Sequence, residues 1–290
     1  MKLGNAKLND VVTVEAIQEK ATGQVTLDGI NLTLGYQERV VSKNLDVTIP
    51  PKSFTVIVGA NACGKSTLLK SLARILKPKH GNVFLAGEVI SKMPTKEVAR
   101  KLGFMAQDAN YPSGVSVSDL VARGRHPHRK FLQSWTSADE AALQQALAWT
   151  NTTDLANRNV DELSGGQKQR VWLAMVLAQQ TDLLLLDEPT TFLDIAHQIE
   201  MLDLCAELNE TQQTTVVAVL HDLNHACRYA THLIAMKDGQ IKYQGPPSEV
   251  ITAESVQEIF GLKCCVIKDP VSLTPLIIPL GGKVSTDAQF

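Results

Sequence analysis

The sequence predicts an α/β fold in which a parallel sheet with helical crossovers is joined to an antiparallel β portion and interrupted by a helical segment. Three observations carry that expectation. Phe54-Thr-Val-Ile-Val58, Asp182 to Asp187 and Thr215 to Leu220 are short, mostly apolar runs, the pattern of parallel strands buried on both faces. A helical pattern over Ile195 to Asn209 separates the last two, as a crossover requires. Ahead of them, Val25 to Leu34 and Val40 to Ile49 alternate loosely and are rich in Val, Leu, Ile and Thr, which reads as an antiparallel pair.

The other elements follow from local signals. The run from Ser66 to Leu76 continues as a helix that stops near Pro78. Between Pro112 and Gln180 there is little β signal. Ser137 to Thr150 reads as a helix with Ser137 as its cap and acidic residues in its first turn, and Ser164 caps another that runs to about Gln180. Lys237 to Gln240 marks a hairpin with Asp238-Gly239 as its turn. Residues 1–24 read as a variable extension.

The bulk properties narrow the function. The chain has 290 residues, enough for one large domain or two small ones. Hydrophobic residues make up 44% and charged residues 20%, as in soluble globular proteins. The net charge of -2 argues against a nucleic-acid partner. The 5 cysteines are odd in number and form no C-x-x-C pair, which fits reduced thiols better than a disulfide framework or a zinc site. The vicinal Cys264-Cys265 reads as two ordinary thiols before a redox pair. The N-terminus lacks the basic and apolar regions of a secretory signal. No apolar run approaches the ~18 residues of a spanning helix, so any membrane role comes through a partner.

Chemistry enters at Gly59-Ala60-Asn61-Ala62-Cys63-Gly64-Lys65-Ser66-Thr67, which matches G-x-x-x-x-G-K-[ST] after a strand and before a helix. Successive N–H groups in such a loop wrap phosphates, and the helix N-terminus adds about half a positive charge. Lys65 reaches the β/γ-phosphates and Ser66 offers its hydroxyl to Mg²⁺. Cys63, beside Lys65 and the helix start, is expected to favour the thiolate, the plain alternative being that it merely fills a small-residue position. Leu183 to Glu188 ends a strand in two carboxylates. Asp187 would hold Mg²⁺ through water and Glu188 would polarise the attacking water. Adjacent side chains on a strand point apart, so both serve one site only where the backbone turns, expected at Pro189. Leu163-Ser164-Gly165-Gly166-Gln167 is a capped helix start with bare glycines, a second anion site.

Together, GANACGKST, LSGGQKQR, LLLLDEP and the lone His221 after TTVVAVL resemble the ATP-binding cassettes of ABC transporters, from about Val25 to Leu262. The resemblance implies a P-loop NTPase (RecA-like) core with an antiparallel β subdomain and an inserted helical subdomain. The core and β subdomain would occupy residues 25–106 and 181–262, the helical signature subdomain 107–180, and a C-terminal strand and tail 263–290. It implies ATP and Mg²⁺ as ligands, and head-to-tail pairing of two cassettes, each ATP lying between the phosphate loop of one and Ser164, Gly165, Gly166 and Gln167 of the other. It also implies roles: Tyr36 stacks on adenine, Gln107 touches Mg²⁺ and the attacking water, Asp194 lies at the dimer interface, and His221 contacts the γ-phosphate and holds Glu188. A core tyrosine, a solvated glutamine and a structural histidine are the plain alternatives. The loop departs from the family's usual GPNGxGKST at Ala60 and Ala62, and strain is expected at Ala62.

Within the family, Val121 to Pro127 (VARGRHP), Glu188 to Asp194 (EPTTFLD) and Val219 to Asn224 (VLHDLN) resemble the ATPases of ferric-siderophore, haem and vitamin B12 importers. Asp269 to Pro275 resembles the C-terminal strand of that group. This implies permease subunits as partners, a substrate-binding protein acting indirectly, and a peripheral place on the cytoplasmic face of the membrane. Arg123 to His128 would dock the permease, with Arg125 on that surface; a solvated basic loop or a weak His-x-His metal site are the alternatives. An exporter subunit, or an ATPase of DNA repair or translation, are the rival functions.

Overall fold

The computed structural model of the chain describes residues 25–107, 113–130, 132–191 and 193–281. The extension expected at residues 1–24 lies outside them. The first two strands, β1 (Leu27–Tyr36) and β2 (Arg39–Ile49), pair antiparallel as their alternation predicts. β3 (Phe54–Gly59) then runs into a tight loop and helix α1 (Lys65–Leu72), which ends well before Pro78. A hairpin of β4 (His80–Leu85) and β5 (Glu88–Val89) completes a four-stranded antiparallel sheet in the order β2-β1-β4-β5. Helix α2 (Thr95–Lys101) leads into β6 (Leu102–Met105).

The middle of the chain is helical. It contains α3 (Val117–Ala122), a 3₁₀ turn at Arg123–His128, α4 (Ser137–Trp149) and α5 (Gly165–Leu177). The cap of α4 is Thr136, not Ser137. Its side chain accepts from the N–H of Asp139 while the Asp139 carboxylate accepts from the Thr136 N–H, a reciprocal pair that Ser137 cannot make one residue later.

The chain returns to the sheet as β7 (Leu183–Asp187), α6 (Ile195–Gln212), β8 (Thr215–Val219), α7 (Leu223–Tyr229), β9 (His232–Lys237) and β10 (Gln240–Gly245). The sheet order is β10-β9-β3-β8-β7-β6, parallel except for β10. Two short helices, α8 (Pro247–Val250) and α9 (Ala253–Phe260), precede a separate hairpin of β11 (Cys264–Lys268) and β12 (Pro275–Pro279). The strand expected over Asp269 to Pro275 is in fact mostly the turn of this hairpin. Asp269 accepts from the N–H groups of Val271 and Ser272, and Leu273 has φ 62°. A short polar side chain that satisfies backbone donors two and three residues on makes a turn in preference to a strand.

Side-chain alternation along the central strands divides the interior in two. Val56, Val58, Leu184, Leu186, Val216 and Ala218 face the helical side, against α5 and α6. Ile57, Leu183, Leu185, Val217 and Val219 face the other way, against α1 and the antiparallel sheet. A wholly apolar strand is therefore required, because neither face meets water.

Arg125 belongs to this scaffold, which overturns its expected place on a docking surface. It is 5% exposed, and its guanidinium donates to the Asp139 carboxylate at 3.1 Å, to the Ala178 carbonyl at 2.8 Å and to the Gln180 side chain at 2.8 Å. The basic run reads as surface only if each side chain points outward. Gly124 brings the turn so close to α5 that an added Cβ would lie 2.1 Å from the Met175 carbonyl, which turns Arg125 inward. Burial pushes the Asp139 carboxyl up, but hydrogen bonds from Thr136 and Arg125 outweigh it and hold the group below its ordinary value.

Arg125→Glu is therefore expected to destabilise the helical region by about 3 kcal/mol or more, the cost of unpairing a buried charge and adding a like one. Thermal unfolding of the purified variant checks this. The Asp139 contribution to wild-type stability should be complete above the unfolded carboxylate pKa, near 4. It should be lost as pH falls through the lower folded value.

Candidate active site

The phosphate loop is built by close approach. Gly59 has φ 154° and lies so near β9 that a Cβ there would sit 2.3 Å from the Met236 carbonyl oxygen. Gly64, φ 110°, caps α1 with no side chain in the way. Between them Ala62 adopts φ 60°, so the departure from glycine places an L-residue in left-handed backbone, a conformation that costs on the order of 1–2 kcal/mol. The hairpin turn of β9 and β10 braces the loop, with the Gly239 N–H donating to the Cys63 carbonyl at 3.0 Å. Lys65 is buried, and its ammonium donates to the Gly59 and Ala60 carbonyls at 2.9 and 3.0 Å.

Cys63 is placed differently from expectation. Its side chain packs into the core with Ile57 and Leu68, and it is 6% exposed. Burial pushes the thiol pKa up, and this exceeds the opposing pull of Lys65. A position beside a cation favours thiolate only when the sulfur faces the cation in a polar setting; here the loop turns it inward. Among the other cysteines, Cys264 is buried and Cys265 half-buried, and neither is bonded to the other.

A cleft lies over the loop, lined by Tyr36, Arg39, Val41, Asn61, Ala62, Gly64, Lys65, Ser66, Thr67, Glu188 and His221. Tyr36 is 48% exposed at its rim, which excludes the core-tyrosine alternative. Arg39 and Val41 are lining residues that motif reading missed. Their signal is register, since Tyr36 pairs with Arg39 across the turn joining β1 and β2.

Glu188 sits on the wall of this cleft, opposite the loop. The backbone reverses at Glu188 itself, φ 55°, one residue before the turn expected at Pro189. That reversal turns the Glu188 side chain into the cleft lining, while Asp187 stays fully buried at the strand end. Glu188 is gripped from two sides: His221 Nε2 lies 2.7 Å from Oε1, and Gln107 Nε2 donates to Oε2 at 2.6 Å. Thr191, absent from the motif reading, adds a hydroxyl at 3.3 Å. Gln107 thereby ties the start of the helical region to the strand end.

Asp187 is fully buried, and neither of its carboxylate oxygens has a hydrogen-bond partner among the described residues. Lys70 from α1 stands 3.3 Å from Oδ2, close enough for an ion pair but without hydrogen-bond geometry. A buried carboxylate with unused lone pairs fits a hard cation that takes oxygen ligands and keeps waters. Ser66, Gln107 and Asp187 are thus a chemically suitable donor set for Mg²⁺.

The second anion motif is not part of this cleft. Ser164 caps α5 in a reciprocal pair with Gln167, and both Ser164 and Gly165 are exposed. Gly166 lies against Leu193, and Gln169 donates to the Pro189 carbonyl at 3.0 Å. Asp194 caps α6 with 68% of its side chain exposed, and hydrogen bonds from the His197 backbone and ring hold its carboxyl below the usual range. In the 3₁₀ turn, Arg123 and His126 are exposed, while His128 donates from Nε2 to the Gln179 carbonyl at 2.7 Å. No helix among the described residues is long and apolar enough to cross a membrane.

Comparison with known proteins agrees with this geometry. The family model described as ABC transporter matches residues 42–191. The ferric enterobactin transport ATP-binding protein FepC of Escherichia coli is 54% identical over 263 residues, 91% of this chain and 97% of that protein. The petrobactin import ATP-binding protein FpuD of Bacillus anthracis is 49% identical, covering 89% of this chain and 94% of that one. Among solved structures, an inward-facing transporter described as of the metal-chelate type superposes with TM-score 0.75 at 31% identity, over 89% of this chain and 98% of that one. A dimeric cassette from a bacterial ABC transporter gives TM-score 0.68 at 28% identity, over 76% and 98%. With its phosphate loop, its Glu188 clamp and relatives half identical over nearly its whole length, the chain belongs to the ABC transporter family as an ATP-hydrolysing cassette.

Proposed function

We propose that this chain hydrolyses MgATP as one of two head-to-tail cassettes that drive a permease importing an iron–siderophore complex. The observation that carries the catalytic part is the clamp on Glu188, a carboxylate held by His221 and Gln107 on the wall of the phosphate-loop cleft. The His221 contact and the hydrogen bonds from Gln107 and Thr191 hold the carboxylate in the orientation a water-activating base needs, before substrate arrives. The import part is supported by the likeness to FepC and FpuD, named for ferric enterobactin and petrobactin.

The chain's own groups divide the work. The N–H groups from Asn61 to Thr67 and the start of α1 cradle the phosphates. Lys65 exchanges its two loop carbonyls for phosphate oxygens, which are stronger acceptors for an ammonium. Tyr36 offers a face to the adenine ring. Ser66, the carbonyl oxygen of Gln107 and Asp187 would hold Mg²⁺. Bound there, magnesium would supply positive charge to the phosphates as they are transferred. Glu188 takes the proton of the attacking water, and His221 keeps the carboxylate aimed.

The exposed Ser164 and Gly165 point to a second cassette, because a bare helix N-terminus facing solvent is an anion site without an anion of its own. Asp194 lies on the same exposed surface as a contact for that partner. Docking to the permease falls to Arg123 and His126, now that Arg125 is part of the scaffold. The membrane association is peripheral, on the cytoplasmic face.

Glu188→Gln is expected to keep ATP binding and lose hydrolysis by about 10²–10⁴-fold, or roughly 3–5 kcal/mol of barrier, and to accumulate as an ATP-bound dimer. Phosphate release and size-exclusion chromatography check both halves; unchanged turnover removes the assignment. Arg123→Glu should leave the ATPase rate of the isolated chain within about twofold, since an exposed substitution away from the site moves energies by less than ~0.5 kcal/mol. It should weaken permease capture and reduce radiolabelled ferric-siderophore uptake in cells lacking the wild-type gene. Full uptake there would argue for docking elsewhere, and no uptake with the wild-type chain would remove the iron-import reading.

A further inference from the structure

Asp187 presents an electrostatic problem that the clamp on Glu188 does not solve. It is fully buried at the end of β7, and its two oxygens make no hydrogen bonds among the described residues. A carboxylate in that position is unstable unless another charge compensates it. A magnesium ion brought in with nucleotide would compensate it only while that nucleotide is bound. The cassette must also pass through a nucleotide-free state in every cycle.

We propose that Lys70 is the resting counter-ion of Asp187, a tethered cation that stands in for magnesium whenever the site is empty of metal. The geometry supports it in three ways. Lys70 Nζ lies 3.3 Å from Asp187 Oδ2 and is the cation paired with it. Lys70 follows Ser66 by four residues on α1, so both side chains leave the same face of the helix, one turn apart. The ammonium therefore approaches the carboxylate from the helix face that also carries Ser66, the residue that would offer its hydroxyl to the metal. Finally, the contact lacks hydrogen-bond geometry, so it neutralises Asp187 without occupying its lone pairs. Those lone pairs remain for metal-bound water. With 32% of its side chain exposed, Lys70 can turn toward solvent when magnesium arrives.

The idea rests on Asp187 serving the magnesium site, and it has a signed consequence. Lys70 stabilises the metal-free state and repels the incoming ion. Its removal should make the empty cassette less stable while magnesium binds more tightly. The test uses the purified full-length chain and its Lys70→Met, Asp187→Asn and double variants. Thermal unfolding is measured in EDTA without nucleotide, and then with saturating ADP across a Mg²⁺ titration.

Lys70→Met should lower the metal-free midpoint by roughly 5 °C. It should also lower the Mg²⁺ concentration for half-maximal stabilisation by on the order of tenfold, reflecting lost repulsion. Lys70→Arg should restore wild-type values. In the Asp187→Asn background, Lys70→Met should change neither quantity, and if Lys70→Met alone is insoluble the double variant should recover a folded chain. Equal destabilisation with and without Mg²⁺, or the same loss when Asp187 is already asparagine, would show that Lys70 only packs, and the proposal fails. An Asp187→Asn chain with a wild-type Mg²⁺ response would remove the magnesium reading of Asp187 and the proposal with it.

Discussion

The backbone reversal at Glu188 is the constraint on which the site depends. A strand alternates its side chains, so two adjacent acids at the end of β7 would otherwise face opposite cores. With φ 55° at Glu188, the strand ends after Asp187 and the second carboxylate swings toward the cleft. A left-handed non-glycine residue costs on the order of 1–3 kcal/mol, and it persists only where its surroundings over-determine it. Here they do: the His221 contact and the hydrogen bonds from Gln107 and Thr191 hold the side chain, while Gln169 holds the next carbonyl. The strain is thus tied to the residue whose position the chemistry needs.

Two ion pairs that bury a carboxylate illustrate different uses of charge. Arg125 and Asp139 are each held by several partners: the guanidinium has three acceptors and the carboxylate also takes the Thr136 hydroxyl. Such a pair is rigid and joins the 3₁₀ turn, α4 and the end of α5. Lys70 and Asp187 are the reverse, a fully buried carboxylate and a half-exposed ammonium with no hydrogen bond between them. A saturated network fixes structure, whereas an unsaturated one retains capacity for a ligand.

The core strands were legible because each is apolar on both faces, a pattern only a doubly covered sheet produces. The phosphate loop, Asp187, Glu188 and the Ser164 cap were legible because their spacing is itself the chemistry: N–H groups in succession, acids at a strand end, a hydroxyl before bare glycines. β6 and α2 escaped because four and seven residues are too few to display a period. The C-terminal hairpin escaped because its turn rests on one side chain, Asp269. Arg125 and Cys63 were placed on the wrong side of their segments for a common reason. Within a turn or a loop there is no fixed period to say which side chain faces inward. That direction is set by close approaches, Gly124 to α5 and Gly59 to β9, that only the fold reveals. Arg39 and Thr191 carry no motif and enter the site through register and a turn.

The helix α5 links the two anion sites that the sequence separates. Its first turn carries Ser164 to Gln167, facing solvent, where the proposed second cassette would present its nucleotide. One turn further, Gln169 is buried and bonded to the Pro189 carbonyl, immediately after Glu188. Gly166 packs on Leu193, immediately before Asp194. A helix is stiff over this distance, so a ligand that moves its N-terminus also moves the two contacts bracketing the segment from Glu188 to Asp194. Gln107 reaches the same glutamate from the start of the helical region. The proposed base, Glu188, is therefore held in part by the helix proposed to read a neighbour's ATP. Under that proposal, closing the pair on two nucleotides would act on Glu188 through packed side chains, not through a distant rearrangement.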